Sequence, residues 1–473
     1  MIQTGSGMSE DALRSIFALQ RDASRSTPAP AFERRSVALR KLRDLVRTNA
    51  TDLAGAISAD FGGRSESETE LLEIVPTLSA IRHTLRYLRS WMQPEQRPVD
   101  IAFQPARAWV QYEPLGVVGI IAPWNYPLLL TLTPLLDAVA AGNRAMLKPS
   151  ELTPRFSELL RVLIAERFDP GEIAVITGGV EIARSFASLP FDHLLFTGST
   201  AVGREVMRAA AENLTPVTLE LGGKSPAIVC PDYPVEKAAR SIAFGKFLNA
   251  GQTCIAPDYV LVPSERCADF AHGVLAEAMR AYPAIAGNRD YTSIITEQQR
   301  ARLKAALDEA RAAGATVLSH VDANADGEGK VVPTVVLNAP VDGVLLREEI
   351  FGPILPIVPY RSLDEALAFI NARSRPLALY CYTHDRQSRA FVLARATSGG
   401  VTLNGTLLHI AQDALPFGGV GASGMGAYHG RDGFRRMSHA RAVHQIGFIN
   451  VFERLGPPWG KLASTVARVL KRR

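Results

Sequence analysis

Cysteine is scarce in this chain. Four cysteines among 473 residues are too few for a disulfide framework of the kind found in small secreted domains. The chain contains no CxxC pair, and no spacing of cysteine and histidine suits a zinc site. We therefore expect reduced thiols, a cytoplasmic protein and no metal centre.

The sequence also lacks a recognisable export or membrane segment. Its first ten residues, MIQTGSGMSE, have no apolar core of the kind that a secretory signal needs. Residues 116–141 form the one long apolar run, but three prolines and Asp137 interrupt it. A membrane span tolerates such breaks only where other protein satisfies the backbone, so this run predicts a buried strand, a turn and a core helix.

Excess charge is confined to one end of the chain. The net charge is +5, and residues 454–473 hold six basic residues and no acidic one, which leaves the rest at −1. A nucleic-acid binder is expected to carry a basic face on a folded domain, so we expect no nucleic-acid partner. The tail fits a solvated segment or one packed on a dimer partner better than an amphipathic helix on a membrane surface, although its leucines and valines leave the membrane alternative open.

The order of apolar segments predicts an α/β protein. Helical patterns over residues 8–59 and 66–92 precede an extended pair at 99–112. From Pro114 onward, short apolar strands alternate with helices, which is typical of a doubly wound parallel sheet. A second α/β region begins after Leu221. Sheets of this kind bind ligands at the carboxyl ends of their strands.

Two glycine-rich stretches compete as phosphate-binding loops. The stretch at 419–424, GVGASG, matches GxGxxG but lacks the preceding strand and following helix that this fingerprint requires, so we interpret it as a structural turn. The stretch at 196–203, FTGSTAVG, follows an apolar run and opens a helix. Gly198 would allow a tight turn, and Ser199 would cap a helix whose amides face an anion. An ordinary capped turn is the alternative.

Three residues have sequence surroundings that suit catalysis. Cys254 follows NAGQT, among small and polar neighbours, as a reactive thiol would, although a buried structural cysteine is an equal alternative. Glu220 lies within an apolar run, where desolvation raises a carboxyl pKa and suits it to act as a base. Asn125 lies in a proline-bounded turn, where its amide can donate to an oxyanion or simply close the turn.

Seven stretches, taken together and in order, resemble the NAD(P)-dependent aldehyde dehydrogenase family over about 300 residues. They are PWNYP (123–127), KPSE (148–151), FTGSTAVG (196–203), LELGGKSP (219–226), NAGQTC (249–254), EEIFGP (348–353) and PFGGVGASGMG (416–426).

The resemblance implies three domains and a basic tail. The coenzyme domain would comprise residues 1–98 and 113–221, and the catalytic domain residues 222–399. Residues 99–112 and 400–445 would form a small β oligomerisation element, made of a hairpin and a strand near 400–406. Residues 446–473 would be the tail.

The resemblance also implies roles for particular residues. Cys254 matches the nucleophile, Glu220 the general base and Asn125 the oxyanion donor, and no metal is required. Tyr126 and Phe417 match residues that line the aldehyde channel. The positions that match cofactor-binding residues are Trp124, Lys148, Glu151, Gly198, Ser199, Val202, Gly203, Leu221, Gly222, Glu349 and Phe351.

Within the family, three stretches are similar to the class-3 branch and to the coniferyl aldehyde dehydrogenases in it. They are CIAPDYVLVP (254–263), residues 407–434 and FERLGPPWGKL (452–462). That likeness implies a homodimer that uses NAD and tolerates NADP, although Glu151 would repel a 2′-phosphate. The expected substrate is an aromatic aldehyde such as coniferaldehyde, or a medium- or long-chain aliphatic one.

The expected reaction oxidises the aldehyde to the acid through a thiohemiacetal and a thioester on Cys254. Transfer of the thioester to coenzyme A is the rival reaction. Enzymes that transfer it usually lack the glutamate that this chain has at Glu220. A purely binding role on the same fold would predict loss of Cys254, Asn125 or Glu220, and all three are present.

Overall fold

The computed structural model describes residues 8–320, 329–450, 453 and 455–471. Helices in the N-terminal region precede three β-sheets, and further helices cover the two larger sheets. The helices are α1 (Glu10–Ser26), α2 (Phe32–Thr48), α3 (Ala50–Phe61), α4 (Glu66–Thr69), α5 (Val75–Trp91), α6 (Pro127–Ala141), α7 (Pro154–Ala165), α8 (Val180–Ala187), α9 (Thr200–Ala211), α10 (Val235–Phe247), α11 (Cys267–Ala281), α12 (Glu297–Ala312), α13 (Val344–Arg347), α14 (Leu363–Asn371), α15 (Arg386–Arg395), α16 (Gly430–Arg436) and α17 (Lys461–Leu470).

The helices predicted at 8–59 and 66–92 are present. Helix α1 begins where the Ser9 hydroxyl accepts a hydrogen bond from the Ala12 amide at 3.2 Å, as N-cap serines do. Helix α3 ends at Gly62, whose φ of 71° is left-handed and suits glycine. One π-helical turn, Glu70–Ile74, joins α4 to α5, so the predicted second helix contains an irregularity.

A six-stranded sheet forms one core of the protein. Its order is β15-β7-β6-β3-β4-β5, and all pairs except β15 with β7 are parallel. The chain runs outward from β3 to β5 and then returns on the other side of β3 with β6. The carboxyl ends of β3 and β6 therefore form the topological switch point where open α/β sheets bind ligands. The strands are β3 (Val117–Ile121), β4 (Arg144–Lys148), β5 (Ile173–Val175), β6 (His193–Gly198), β7 (Val217–Leu221) and β15 (Gly424–Met425).

A seven-stranded sheet forms the second core, in the order β10-β11-β12-β9-β8-β13-β14. Only β10 pairs antiparallel. Strands β8, β9 and β13 are buried along their whole length, which fits their continuous apolar sequences. The strands are β8 (Pro226–Val229), β9 (Tyr259–Pro263), β10 (Thr316–Ser319), β11 (Thr334–Leu337), β12 (Ile354–Tyr360), β13 (Ala378–Tyr382) and β14 (Gly400–Leu403).

The third sheet corrects two details of the sequence analysis. It has the order β1-β2-β16, with β1 (Glu95–Arg97), β2 (Arg107–Pro114) and β16 (Ser438–Gln445), all antiparallel. The extended pair expected at 99–112 is therefore displaced, with a 3₁₀ turn at Ile101–Phe103 between its strands. The strand expected near 400–406 was wrongly placed in this sheet: β14 pairs parallel with β13, and β16 supplies the third strand.

Helix α17 has no buried residue. Its apolar side chains share one face, and Leu462 and Val469 are exposed over more than half their area. Within the described ranges, no helix is long and apolar enough to cross a bilayer.

Candidate active site

The switch point of the six-stranded sheet gathers the predicted cofactor residues. Ile121, the last residue of β3, pairs with Lys148 on β4 and with Phe196 on β6. The segments that follow these strands begin at nearly the same level. Trp124, Lys148, Gly198 and Ser199 therefore lie at one edge of the sheet, as the sequence predicts.

The turn after β6 is built like an anion-binding helix start. The Ser199 hydroxyl accepts a hydrogen bond from the Val202 amide at 3.3 Å and caps α9. One turn into the helix, Gly203 packs on β7: a Cβ there would lie 2.7 Å from Leu221 Cδ2. Gly203 thus allows α9 to approach the strand closely. The free amides at the N-terminus of α9 carry partial positive charge, which favours a phosphate there.

Lys148 is fixed at the end of β4. Its ammonium donates to the Pro149 carbonyl at 2.8 Å and lies 3.4 Å from Glu151 Oε2. The lysine side chain is 1% exposed, whereas that of Glu151 is 40% exposed. Burial lowers the pKa of Lys148. These two side chains are available to a sugar hydroxyl at this edge, which fits their match to cofactor-binding residues.

Glu349 lies on the other side of the site, against the glycines that follow β7. A Cβ at Gly222 would overlap the Glu349 carboxylate, so a side chain there would displace this carboxylate. Burial, followed by the charge of Asp258, raises the pKa of Glu349 to about 8, and the Gly223 amide opposes the shift. A carboxyl group buried this way is suited to hydrogen bonding with a ribose.

Two side chains that sequence reasoning missed hold the Glu349 loop. The Lys224 ammonium pairs with Asp258 and donates to the carbonyls of Leu345 (2.8 Å) and Glu348 (2.9 Å). Asp258 Oδ1 accepts from the Ile350 amide at 3.0 Å. Both residues lie in motifs quoted above, LELGGKSP and CIAPDYVLVP, but charge alone could not show that they are buried.

Phe351 follows with a strained backbone. Its φ is 49°, which is uncommon for a bulky residue. Its ring meets that of Trp124 edge to face, with centroids 5.4 Å apart. The two aromatic residues predicted to contact cofactor are therefore in mutual contact.

A run of three left-handed residues precedes the candidate nucleophile. Asn249, Ala250 and Gly251 have φ of 50°, 49° and 75°, and the turn carries the chain from α10 towards Cys254. At Gly251 a Cβ would collide with the Gly352 carbonyl. Strain of this kind concentrates at functional sites, and it argues against an ordinary buried structural cysteine at Cys254.

The protonation of Cys254 differs from what the sequence suggests for an activated thiol. Burial raises its pKa well above the ordinary value, and the carboxylates of Glu220 and Glu349 raise it further. The expected thiolate is therefore not stabilised by the protein atoms alone. Desolvation, the largest cause, thus favours the protonated thiol over the thiolate.

Glu220 behaves as its sequence context predicts. It is the penultimate residue of β7 and is 1% exposed, and burial raises its pKa well above that of an ordinary glutamate. Neither of its oxygens has a hydrogen-bond partner within the described part of the chain. A buried carboxyl group with both oxygens free is available to bind and deprotonate water.

Asn125 is held on both its backbone and its side chain. Its carbonyl accepts from Asn249 Nδ2 at 3.0 Å and from Arg64 Nη1 at 3.1 Å. Its own Nδ2 donates to the Gln252 carbonyl at 3.1 Å. An amide NH₂ carries two hydrogens, so this arrangement can direct the second towards an oxyanion near Cys254.

The candidate channel residues are buried near the catalytic groups. The Tyr126 hydroxyl lies 2.8 Å from Thr253 Oγ1, next to Cys254 in sequence. Phe417 is 2% exposed and exchanges two backbone hydrogen bonds of 2.9 Å with Tyr428. Sequence reasoning missed Tyr428, whose buried hydroxyl has no partner among the described residues and whose pKa is raised by burial and then by Glu220 and Cys254.

The GxGxxG stretch is a structural turn, as predicted. Gly424 pairs antiparallel with Glu220 through β15 and β7. Its φ is 144°, and a Cβ there would collide with the Leu219 carbonyl. The glycines allow this turn to cover the strand that carries the candidate base.

Across the described ranges, no cluster of three or more histidine, cysteine or acidic side chains could hold a metal ion.

Comparison with known proteins agrees with this geometry. The aldehyde dehydrogenase family model matches residues 2–443. A probable coniferyl aldehyde dehydrogenase from Pseudomonas aeruginosa is 51% identical over 95% of this chain and 94% of its own. A dimeric NADP-preferring aldehyde dehydrogenase from Rattus norvegicus is 39% identical over 91% of this chain and 94% of its own. The solved substrate-bound AldH of Staphylococcus aureus is 37% identical, with a TM-score of 0.90 over 97% of this chain and 99% of its own.

The fold and the site define a nicotinamide-dependent dehydrogenase with a cysteine beside a buried carboxyl group. The match over nearly the whole chain makes the assignment specific: this protein belongs to the aldehyde dehydrogenase family. It is an NAD(P)-dependent enzyme that acts on small aldehydes.

Proposed function

We propose that this enzyme oxidises an aromatic aldehyde of the coniferaldehyde type to its carboxylic acid, with Cys254 as nucleophile, Glu220 as general base and Asn125 as oxyanion donor. The observation that carries the proposal is the buried Glu220 carboxyl group, with both oxygens free of hydrogen-bond partners in the described chain and near enough for its charge to raise the pKa of Cys254. A water molecule bound there would be deprotonated within a dry site.

The proposed reaction proceeds in two halves. The Cys254 thiol releases its proton to solvent, and its sulfur bonds to the aldehyde carbon to give a thiohemiacetal oxyanion, which the Asn125 amide stabilises. A nicotinamide held by Glu349 and lined by Trp124, Leu221 and Phe351 would supply the acceptor for the hydride that leaves this carbon. The resulting thioester is attacked by water as Glu220 removes a water proton. The acid departs and the sulfur takes up a proton.

The residues at the switch point fit a dinucleotide. Ser199 and the start of α9 would hold the pyrophosphate, Lys148 and Glu151 the adenosine ribose, and Glu349 the nicotinamide ribose. Trp124, Leu221 and Phe351 would line the nicotinamide. The dinucleotide would approach the protein backbone closely at Val202, Gly203 and Gly222. Glu151 favours NAD over NADP because its carboxylate would repel a 2′-phosphate.

The substrate class rests on two supports. The Pseudomonas aeruginosa relative is described as a probable coniferyl aldehyde dehydrogenase. The Tyr126 hydroxyl contacts Thr253, the neighbour of Cys254 in sequence, and the Phe417 ring packs edge to face on Tyr428. A medium- or long-chain aliphatic aldehyde is the second candidate, since the same rings also suit an alkyl chain.

The proposal includes the assembly of the protein. A coenzyme domain of 1–98 and 113–221 and a catalytic domain of 222–399 would each contain most of one large sheet, whose edge strands β15 and β14 come from residues 400–445. The three-stranded sheet, with β16 in the range 400–445, would form the oligomerisation element of a cytoplasmic homodimer. The tail, residues 446–473, would pack on the partner or remain solvated, and contact with a membrane surface is the alternative.

The test is a panel of aldehydes assayed for NADH and NADPH formation. It comprises coniferaldehyde, benzaldehyde and hexanal, each with NAD and NADP, using the wild type and Cys254→Ala. We expect coniferaldehyde with NAD to give the highest kcat/KM and the variant to give no turnover. Faster oxidation of hexanal would contradict the aromatic assignment, and turnover by Cys254→Ala would contradict the nucleophile.

A second assay distinguishes the rival reaction. Acid should form in the absence of coenzyme A, because Glu220 provides the base for hydrolysis. A strict requirement for coenzyme A would instead identify an acyl-transferring enzyme.

A further inference from the structure

A fully buried ion pair lies beneath the loop that carries Asn125. Arg64 Nη1 is 2.8 Å from Glu73 Oε1, and both side chains have no exposed surface. Arg64 follows α3, and Glu73 lies in the π-helical turn between α4 and α5. None of the catalytic roles assigned above uses either residue.

Arg64 contacts the candidate oxyanion donor and its neighbour. The same Nη1 that pairs with Glu73 donates to the Asn125 carbonyl at 3.1 Å. The guanidinium lies over the rings of Tyr126 and Phe61, at 4.9 and 5.2 Å from their centroids. One side chain thus fixes the backbone of Asn125 and the ring of the residue that follows it.

Glu73 holds the other side of the same loop. Its Oε2 accepts hydrogen bonds from the amides of Leu128 (2.8 Å) and Leu129 (3.2 Å), in the first turn of α6. No side chain caps α6 from its N-cap position at Tyr126, so this buried carboxylate satisfies amides that would otherwise lack a partner. The ion pair therefore holds the backbone on both sides of the proline-bounded loop.

A buried ion pair is an inefficient way to stabilise a fold. Removing two charges from water costs several kcal/mol per ion, and apolar replacements of similar volume are often neutral or stabilising. Geometry gives a better reason for this pair, because an oxyanion donor displaced by about 1 Å can lose 10²-fold in rate.

We propose that Arg64 and Glu73 are positioning residues that hold the Asn125 amide where the oxyanion forms. The proposal rests on the proposed function of Asn125. It predicts that the pair affects the rate of the chemical step and leaves cofactor binding unchanged.

A double-mutant cycle tests the proposal. Wild type, Arg64→Met, Asn125→Ala and the double variant are compared for kcat, aldehyde KM and NAD KM. Arg64→Met should lower kcat roughly 10- to 100-fold, with NAD KM within about twofold of wild type. In the Asn125→Ala background the same change should lower kcat no further, because the two residues act through one amide.

Three outcomes would overturn the proposal, and they separate its failure from that of the proposed function. Wild-type kcat in Arg64→Met with impaired Asn125→Ala refutes positioning by the pair but keeps the donor. Equal losses from Arg64→Met in both backgrounds show that it acts elsewhere. Wild-type kcat in Asn125→Ala refutes the donor assignment itself, and with it the positioning role.

A second variant and a matched control separate positioning from stability. Arg64→Met/Glu73→Gln removes both charges and keeps a carbonyl acceptor for the amides of α6. Its thermal midpoint should therefore lie near that of wild type, while its kcat should be lowered as in Arg64→Met. Arg35→Met removes another buried cation, which donates to Ala140 near the other end of α6 at 2.9 Å. It should lower the thermal midpoint with kcat within about twofold. A kcat loss in Arg35→Met equal to that in Arg64→Met would refute the proposal.

Discussion

Burial determines the protonation of the groups around Cys254 more strongly than their partners do. For Cys254, Glu220 and Glu349 alike, desolvation is the largest cause of a raised pKa. Burial in this site therefore disfavours the ionised forms of the thiol and of both carboxyl groups.

Removing the carboxyl group of Glu220 should separate the two halves of the reaction. In Glu220→Gln we expect steady-state turnover to fall roughly 10²- to 10⁴-fold, while the first equivalent of NADH per site still forms, because hydride transfer precedes hydrolysis. Stopped-flow absorbance at millisecond resolution measures both phases. Loss of the initial burst together with unchanged steady-state turnover would contradict the role of Glu220 in hydrolysis.

The raised pKa of Glu349 should appear in the pH dependence of stability. A carboxyl group that holds its proton up to about pH 8 in the folded protein but only to about 4.3 in the unfolded chain destabilises the fold as pH rises between those values. Glu349→Gln cannot ionise. Without cofactor, it should lose less unfolding free energy than wild type between pH 5 and pH 8, by an amount on the order of a few kcal/mol. Urea titrations at several pH values measure this difference, and parallel curves would refute the raised pKa.

At the scale of elements, the turn between α10 and Cys254 depends on one close backbone approach. Gly251→Ala would place a Cβ in collision with the Gly352 carbonyl. We expect it to lower both kcat and the thermal midpoint, with a stability loss of about 1–3 kcal/mol. Differential scanning fluorimetry and aldehyde turnover measure the two effects.

Gly314→Ala is the matched control for this turn. Gly314 has a φ of 86° and no atom within 4 Å of the site of a Cβ, so the substitution carries the backbone strain without the collision. Gly314→Ala should therefore lower the thermal midpoint and leave kcat unchanged. Equal effects of the two substitutions on kcat would show that the Gly251 collision does not displace the nucleophile.

The central strands of the six-stranded sheet and the helices between them could be predicted from the sequence because each is marked by a local apolar pattern. For example, a continuous apolar run broken by prolines predicts the strand Val117–Ile121 and the helix α6 that follows it. The third sheet could not be predicted in the same way, since Glu113 pairs with His439 from a distant part of the chain. Local patterns contain no information about such a partner, and β14 was misassigned for that reason.

The candidate site was predictable where chemistry depends on residue type and hidden where it depends on burial. Cys254, Glu220 and Asn125 stand out because their neighbours are unusual. Arg64 and Glu73 look like ordinary surface charges in sequence, and only the folded chain shows that neither is exposed.

At the scale of the whole molecule, β16 suggests where a second copy would dock. It is an eight-residue edge strand with mostly exposed side chains, and edges of this kind are normally covered. We expect sedimentation equilibrium to give about twice the chain mass of 51.2 kDa. A mass near one chain would refute the homodimer.

The tail makes a separate whole-molecule prediction. If α17 packs on the partner or stays in solution, the protein should not float with anionic liposomes at low salt, and salt should have no effect. Flotation that is lost when residues 459–473 are deleted would instead assign the tail to a membrane surface. A variant with Leu462→Gln and Val469→Gln tests whether the apolar face of α17 is responsible.

The near contact of Gly251 with Gly352 has a thermodynamic consequence. These glycines belong to the turn before Cys254 and to the loop after Glu349, so we expect the backbone segments that serve the aldehyde and the cofactor to shift together. When two ligands bind to segments that shift together, their effects on each other are reciprocal. If bound cofactor lowers the dissociation constant of an aldehyde analogue by some factor, the bound analogue lowers that of the cofactor by the same factor. The free protein, the two binary complexes and the ternary complex form a thermodynamic cycle. Dissociation constants measured along its two routes should give the same coupling free energy.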